Sequence, residues 1–191
     1  MNQQKIISFF DKYAPFWDEG QIRNEEVIEK ILKNGGIEKG ISVLDVACGT
    51  GVLFPDYIKR GAAVTAVDIS LEMVKIAKKN FPEIDVICGD VEQTSFEKTF
   101  DAVMVYNAFP HFPDPERVIK RLSECLREGG RLSVAHGMSR EALLKHHSGA
   151  ASEVSRELPT AEALAKMFEK HFKVDVIISD NEMYQVSGVK R

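Results

Sequence analysis

The stretch VLDVACGTG, from Val43 to Gly51, decides how this chain folds. A short apolar run that includes Asp45 leads into a loop of small residues, in which two glycines stand one residue apart. A buried parallel strand followed by a glycine-rich turn and a helix brings backbone N–H groups to the carboxyl end of a sheet, where open α/β sheets bind ligands. A loop without side chains lets a ligand approach its backbone closely. The stretch therefore predicts a site for a nucleotide-like ligand.

The rest of the chain alternates strand-like and helix-like segments. Short β-branched, apolar runs typical of strands buried on both faces occur at 41–46, 63–67, 84–88, 101–106 and 131–135. Helix-compatible stretches lie between them, at 52–60, 70–80 and 114–128. The last has Asp114 as N-cap, Pro115 at the first helical position and Gly129-Gly130 as its stop. This order predicts an α/β fold with a doubly wound, mostly parallel sheet.

Both ends of the chain depart from the alternation. Runs 172–179 and 182–189 are separated only by Asp180-Asn181, which predicts an antiparallel C-terminal hairpin and brings the sheet to seven strands. The segment 137–158 is longer than a plain connection, and we expect a partly helical insertion there. Apolar positions at helical spacing predict further helices at 3–14, 21–33 and 160–170. No linker or repeat interrupts 1–191, so we predict a single domain.

Composition is that of an ordinary globular domain. The chain has 191 residues, of which 44% are hydrophobic and 28% charged, and it contains no apolar run near the length of a membrane span. A formal net charge of -4 disfavours a nucleic-acid partner. Cys48, Cys88 and Cys125 are widely spaced without a C-x-x-C pair, which argues against a disulfide framework and a cysteine zinc site. No secretory signal is visible, so we expect a cytoplasmic protein with reduced cysteines.

The glycine loop differs from the two common phosphate-binding loops. A dinucleotide loop, G-x-G-x-x-G, needs a third glycine that opens the helix, whereas this loop has G-x-G-x-G spacing with Ala47 in the first place. A pyrophosphate needs that extra room at the helix end, and a nucleoside with an amino-acid tail does not. No Gly-Lys-Ser/Thr follows, so a Walker loop is excluded.

Five ordered motifs resemble the class I S-adenosylmethionine-dependent methyltransferases, in particular the small-molecule branch that includes the ubiquinone and menaquinone biosynthesis enzymes. They are VLDVACGTG, AVDIS, CGDVEQTSF, FDAVMVYNAFPHFPDP and LREGGRLSVAHG, and they cover roughly residues 9–136. The departure is Ala47, where the family often has glycine, and its small size leads us to expect little effect. The resemblance divides the chain into an N-terminal helical lid, a cofactor-binding core, a substrate-side insertion and a C-terminal helix with hairpin, at 1–36, 41–136, 137–160 and 161–191.

The resemblance places S-adenosylmethionine at the strand ends. Asp68 would accept hydrogen bonds from both ribose hydroxyls, and Asp90 from the adenine amino group, while the Val91 backbone reads the ring edge. Asp45 would lie near the methionine amino group. The structural alternatives are a helix cap for Asp68, a turn residue for Asp90 and a loop brace for Asp45. Further cofactor contacts are expected from the loop, the adenine pocket, the lid and the end of the fourth strand, at Ala47, Cys48, Gly49, Thr50, Gly51, Ile69, Met73, Tyr13, Trp17, Asn107 and Ala108.

The segment after the fourth strand bears on the acceptor. It reads Asn107-Ala108-Phe109-Pro110, without the Asn/Asp-Pro-Pro-aromatic quartet of enzymes that methylate nucleobase amines, so such amines are disfavoured. His111 is the best candidate base for a nucleophile that arrives protonated, and the alternative is an exposed loop histidine. Three further histidines fall near the expected substrate side, but we predict no metal site, because adjacent histidines on a helix point in different directions: His136, His146 and His147.

The resulting functional hypothesis is an enzyme that transfers a methyl group from S-adenosylmethionine to a small-molecule acceptor by direct in-line displacement. The product of the cofactor would be S-adenosylhomocysteine. Two alternatives stay open: transfer of another S-adenosyl-type group, such as aminopropyl, and a catalytically silent S-adenosylmethionine binder or assembly partner. We expect a monomer or homodimer.

Overall fold

The computed structural model describes residues 2–19, 23–146 and 150–191. Seven strands form one sheet with helices on both faces. The helices are α1 (Gln3–Tyr13), α2 (Glu25–Asn34), α3 (Phe54–Arg60), α4 (Leu71–Asn80), α5 (Pro115–Cys125), α6 (Arg140–His146) and α7 (Ala161–Phe168), with short 3₁₀-helices at Ala14–Phe16, Phe109–His111 and Ala150–Val154. The strands are β1 (Ser42–Val46), β2 (Ala63–Asp68), β3 (Asp85–Cys88), β4 (Phe100–Tyr106), β5 (Leu126–His136), β6 (Phe172–Ser179) and β7 (Tyr184–Lys190).

The strand order confirms the predicted fold. Across the sheet it is β3-β2-β1-β4-β5-β7-β6, with β1 to β5 parallel and β7 antiparallel to both of its neighbours. The chain winds outward from β1 in one direction and from β4 in the other. A doubly wound sheet opens a crevice at the carboxyl ends of the two strands where this reversal occurs, and ligands bind there.

Side chains of β1 alternate between two buried cores, which is why the run that precedes the loop is apolar on both faces. Leu44 and Val46 pack into the core that α5 and α7 cover, and Val43 packs into the one that α2, α3 and α4 cover. All three side chains are almost fully buried. Burial on both faces at the sheet centre fixes where the following loop emerges.

The end of α5 differs from the prediction. The expected helix over 114–128, with its stop at Gly129-Gly130, ends at Cys125 instead. Leu126 is extended, fully buried and paired with Phe100 of β4, so β5 begins five residues before the predicted strand at 131. The pairing and burial of Leu126 outweigh the local helical pattern. The register then shifts before β5 resumes at Arg131 beside Ala102, and Gly129 adopts a φ of 72° within this shift.

Other boundaries move by smaller amounts. The helix predicted over 21–33 begins at Glu25, because the Asn24 side chain caps it by accepting from the Val27 N–H at 3.2 Å. The hairpin turn is longer than Asp180-Asn181 and spans four residues, 180–183. The Asp180 carboxylate accepts from the backbone N–H groups of Glu182 and Met183 at 2.9 and 2.8 Å, and this closes the wider turn. No helix in the described part of the chain is long and apolar enough to cross a bilayer.

Candidate active site

A cavity of about 370 Å³ lies at the carboxyl ends of β1, β2, β3 and β4, where the topology places the ligand crevice. This volume suits a nucleoside-sized ligand. Its floor is formed by the strand ends and the loops that follow them, and α1 together with Trp17 covers one side. The predicted residues that line it are Trp17, Ala47, Cys48, Gly49, Asp68, Ile69, Met73, Asp90, Val91, Asn107, Ala108 and His111.

The loop after β1 needs small residues for conformational reasons. Ala47, Gly49 and Gly51 have φ values of 56°, 56° and 93°, in the left-handed region. A Cβ on Gly51 would lie 2.5 Å from a ring carbon of Phe54, so any side chain at this position would force the ring to shift. Ala47 is a non-glycine residue in the left-handed region, which costs about 1 kcal/mol. The expectation of little effect at Ala47 considered size alone and misses this backbone cost.

Asp68 joins the first two strand-end loops. One carboxylate oxygen accepts from the Gly49 N–H at 2.8 Å, and the other accepts from the Ser70 N–H at 2.8 Å. Burial raises the pKa of Asp68 to about 6, against the lowering effect of these backbone donors. Since each carboxylate oxygen can accept more than one hydrogen bond, the pair retains capacity for a vicinal diol in the cavity. The side chain therefore braces the two loops and keeps acceptor capacity toward the cavity.

Asp90 follows β3 and faces the lid. One of its carboxylate oxygens accepts from the Glu92 N–H at 2.9 Å. The other accepts from the side-chain amides of Gln3 at 2.7 Å and Gln93 at 3.2 Å. An amide NH₂ group has the same donor chemistry as an exocyclic adenine amine. This carboxylate is therefore suited to accept from such an amine.

Side-chain hydrogen bonds tie the N-terminal lid to the strand-end loops. An Asp11 oxygen accepts from the Ser70 hydroxyl at 2.6 Å and from the Glu72 N–H at 3.2 Å. An Asp18 oxygen accepts from the Thr50 hydroxyl at 2.7 Å. The expected cofactor-facing residue Thr50 thus uses its hydroxyl to hold the lid.

Two aromatic residues of the lid, Tyr13 and Trp17, were expected to face the cofactor, and only one of them lines the cavity. Trp17 lines the cavity, and its ring meets Phe10 edge to face at 5.4 Å. Tyr13 packs against Phe9 at 4.6 Å and does not line the cavity. Phe10 takes that place; it is one of the apolar positions of the helix predicted over 3–14, which we expected to pack over the sheet or its ligand crevice, but it was not among the predicted cofactor contacts.

Asp45, Thr50 and Gly51 also lie outside the cavity lining. Asp45 is 3% exposed, and burial together with the Asp68 carboxylate holds its pKa well above the ordinary value. Its proposed contact with a methionine amino group stays a prediction. The reasoning from sequence missed lining residues that come from α1, from the end of β4 and from the rim, namely Gln3, Tyr106, Phe112 and Arg117.

The segment after β4 brings His111 to the cavity. Asn107 has a φ of 54°, and its side-chain oxygen accepts from the Gly137 N–H at 3.0 Å, which ties the end of β4 to the end of β5. His111 lines the cavity and packs edge-on against Phe10 at 4.9 Å. Its Nδ1 lies 3.0 Å from the Val154 carbonyl oxygen. The imidazole is thus held on two sides.

Of the three further histidines named from the sequence, the structure describes the side chain of His136, and it does not line the cavity. His136 is buried at the end of β5, where its ring packs against Tyr184 at 5.9 Å. His147 and the side chain of His146 lie outside the described part of the chain. Within the described residues, no group of three or more His, Cys, Asp or Glu side chains is arranged to hold a metal ion. The cysteines are free thiols.

Comparison with known proteins identifies the family. Residues 44–134 match the model of a methyltransferase domain. The chain is 32% identical over 139 residues to demethylmenaquinone methyltransferase of Renibacterium salmoninarum, covering 69% of this chain and 58% of the relative. It is 30% identical over 142 residues to ubiquinone biosynthesis O-methyltransferase of Coxiella burnetii, covering 69% and 61%. The chain is a member of the class I S-adenosylmethionine-dependent methyltransferase family.

Structural similarity extends over the whole chain. Magnesium protoporphyrin IX methyltransferase from Synechocystis PCC 6803, solved with bound S-adenosylhomocysteine, matches with a TM-score of 0.72 over 100% of both chains at 16% identity. At this identity the likeness supports the methyltransferase fold. The family uses S-adenosylmethionine as cofactor, and the cavity at the strand ends offers the acidic and backbone groups described above. The chain spans about three fifths of the length of the curated relatives it matches.

Proposed function

We propose that this chain transfers the methyl group of S-adenosylmethionine to a small-molecule acceptor. The observation that carries the proposal is the placement of Asp68, Asp90 and the Gly49 backbone around one cavity of about 370 Å³, at the strand ends where the family binds its cofactor. The two relatives named as menaquinone and ubiquinone methyltransferases favour methyl transfer over aminopropyl transfer.

Each part of the cofactor would meet a group of matching chemistry. The Asp68 carboxylate would accept from the ribose hydroxyls, and charge-assisted hydrogen bonds of this kind contribute about 1.5–3 kcal/mol each. Asp90 would accept from the adenine amine in place of the Gln3 amide that it now holds. Ile69 and Met73 line the same cavity as apolar walls for the base. The Gly49–Gly51 backbone would lie along the amino-acid tail.

When bound, S-adenosylmethionine supplies a methyl group already activated by its positive sulfur. The protein then chiefly holds the nucleophile in line with that methyl group and keeps water out. Alignment of this kind contributes up to roughly 7–11 kcal/mol in well-oriented systems. Phe10 and Trp17 of the lid form an apolar wall of the cavity, and their polar anchors at Asp11 and Asp18 keep the wall in place.

His111 is the proposed general base for an acceptor that arrives protonated. It lines the cavity next to Phe10 and to the end of β4. A positioned base typically contributes about 10²- to 10⁴-fold to the rate. The identity of the acceptor atom decides whether this contribution is used.

The test is a transfer assay with S-adenosylmethionine labelled with tritium on the methyl group and a small-molecule extract as acceptor source. We expect labelled product from the unchanged chain and a large loss in His111→Gln. His171→Gln is the matched control, because His171 lies at the start of β6, away from the cavity lining, and should retain activity. Since only the methyl carbon is labelled, binding of S-adenosylhomocysteine without labelled product would favour a silent binder or another group transfer.

The expected cytoplasmic location and the monomeric or homodimeric state belong to this proposal and stay predictions. The same holds for the exclusion of nucleic acid as a partner, which is supported by the net charge of -4.

A further inference from the structure

The imidazole of His111 lies where three parts of the chain meet. It belongs to the 3₁₀-helix that follows β4. On one side the ring packs edge-on against Phe10 of the lid, at 4.9 Å. On the other side it meets the insertion, at the end of the 3₁₀-helix Ala150–Val154. The position of this ring therefore depends on a segment about forty residues further along the chain.

Hydrogen bonds fasten residues 154–156 to the His111 loop. The Arg156 N–H donates to the Pro110 carbonyl at 2.8 Å, and the Arg156 guanidinium donates to the Pro113 carbonyl. Between these two contacts, His111 Nδ1 lies 3.0 Å from the Val154 carbonyl oxygen. The Ser155 hydroxyl lies 3.2 Å from the same Nδ1. The His111 loop and residues 154–156 thus run side by side, and the imidazole lies between the two hydrogen bonds that join them.

This geometry determines which ring nitrogen carries the proton. A carbonyl oxygen can only accept a hydrogen bond, so the Nδ1 that faces Val154 must be the donor. A neutral imidazole has a single N–H, and its other nitrogen then holds the lone pair. In the neutral ring, Nε2 is therefore the basic atom.

We infer that residues 154–156 are the positioning element of His111: the Val154 carbonyl, which can only accept, holds the Nδ1–H tautomer and makes Nε2 the atom that receives the acceptor's proton. The inference rests on the proposed function. In the transfer step the nucleophile forms its bond to the methyl carbon, the methyl–sulfur bond breaks with its electron pair going to sulfur, and the nucleophile's proton passes to Nε2. The opposite tautomer would place a proton on Nε2 and leave it unable to act as a base.

The inference also gives the insertion a role in the chemistry. Val154 is 2% exposed, so its carbonyl belongs to a residue whose side chain is packed inside the protein. A segment that does not line the cavity would in this way set the protonation of the base.

The tautomer can be measured directly in the full chain. Histidine labelled with ¹⁵N gives ring-nitrogen shifts that distinguish Nδ1–H from Nε2–H, and His111→Gln assigns one signal set among the five histidines. We expect His111 in the Nδ1–H form at a pH where the ring is neutral. A neutral ring with Nε2–H would overturn the inference.

Two substitutions at one position isolate the contribution of the backbone anchor. Arg156→Pro and Arg156→Ala both remove the guanidinium, but only proline removes the N–H that donates to Pro110. We expect Arg156→Ala to keep the Nδ1–H form and Arg156→Pro to place the ring in exchange between both tautomers. Identical His111 signals in these two variants would contradict a positioning role for the segment.

These measurements need neither acceptor nor methyl transfer. A chain that shows the Nε2–H form refutes the inference even if it is an active methyltransferase. A chain that shows the Nδ1–H form but transfers no methyl group refutes the proposed function and leaves the measured tautomer standing.

Discussion

Aspartates at the two ends of the central sheet have pKa values that are shifted in opposite directions. At the amino ends, Asp101 accepts from the Ser42 N–H and hydroxyl, both at 2.7 Å, and pairs with Arg127. These partners lower its pKa to about 2. At the carboxyl ends, burial raises the pKa of Asp68 to about 6 and that of Asp45 well above its ordinary value.

The difference separates structure from function. The amino-end acid is saturated by a hydroxyl, an N–H and a guanidinium, so its charge stabilises the fold. Asp45 and Asp68, at the carboxyl ends, are buried close to one another, so their negative charges destabilise the unliganded fold. Carboxyl groups with raised pKa values are typical of ligand-binding and catalytic sites. The comparison leads us to expect that changes at the carboxyl ends affect binding, whereas changes at the amino ends affect stability alone.

The largest expected effect breaks the carboxyl-end loop. Gly51→Ala introduces both an unfavourable φ and a contact 2.5 Å from the Phe54 ring, so we expect the free energy of unfolding to fall by about 2–5 kcal/mol. Gly40→Ala is the control, since Gly40 has a φ of 84° with open space around it, and should cost only about 1–2 kcal/mol. Urea unfolding measures both, and equal losses would show that crowding by Phe54 is unimportant.

The raised pKa of Asp68 makes the free energy of unfolding depend on pH. The folded-state pKa of Asp68, about 6, lies above its ordinary value of 3.8, so the native state binds this proton more tightly than the unfolded chain does. Its contribution to stability is fully present below about pH 4 and is lost as the pH rises through about 6, a change of up to about 3 kcal/mol. Urea unfolding of the unliganded chain across this range measures the slope.

Substitution of Asp68 or of Asp101 shows which aspartate causes the change of the unfolding free energy with pH. Asp68→Asn should reduce this slope and leave only the part that Asp45 contributes, since burial raises the pKa of Asp45 as well, whereas Asp101→Asn should leave the slope unchanged. The pKa of Asp101 is lowered, so its contribution to the free energy of unfolding is fully present at pH values above its ordinary pKa of 3.8. This contribution is lost only as the pH falls toward 2. A slope between pH 4 and 6 that is unchanged in Asp68→Asn would refute the assignment to Asp68.

A smaller effect concerns the lid. Thr50→Val keeps the shape of the side chain but removes the hydroxyl that donates to Asp18. One hydrogen bond is worth about 1 kcal/mol, so we expect S-adenosylhomocysteine to bind about 5-fold more weakly. Thr50→Ser retains the hydroxyl and should bind like the unchanged chain. Calorimetric titration compares the variants, and matching affinities for valine and serine would show that this anchor does not hold a binding-competent lid.

The smallest predicted change lies at Ala47. Ala47→Gly removes the backbone cost at a φ of 56°, and we expect a gain of up to about 1 kcal/mol in the free energy of unfolding, partly offset by the greater freedom of glycine in the unfolded chain. Thermal or urea unfolding measures it. A loss of stability would mean that the Ala47 methyl, which packs against the sheet core, contributes more than the strain costs.

Features of the fold that depend on residues close together in the chain could be predicted from the sequence. The doubly buried run Val43–Val46, the glycine loop and the acids at strand ends are each readable within a few residues, and so the sheet and its crevice were predictable. The end of α5 was not, since Leu126 leaves the helix to pair with Phe100, a partner 26 residues away. The aspartate that widens the hairpin turn, Asp180, looks from sequence like half of a two-residue turn.

The site divides in the same way. Asp68, Asp90 and His111 lie at or just after strand ends in the chain, and this order together with the family resemblance predicted them. Gln3 reaches Asp90 across 87 residues, and the partners of His111 lie 43 and 44 residues further on. Such contacts depend on how the lid and the insertion pack, and one sequence carries no pattern that specifies them.

The most direct test of the central claim is calorimetric titration of S-adenosylhomocysteine into the unchanged chain, Asp68→Ala and Asp101→Asn. We expect Asp68→Ala to bind about 10- to 100-fold more weakly, from one or two lost charge-assisted hydrogen bonds, and Asp101→Asn to lose stability but keep its affinity. Circular dichroism confirms that each variant is folded. Absence of binding to the unchanged chain at millimolar ligand, or a folded Asp68→Ala variant with an unaltered dissociation constant, would contradict the account.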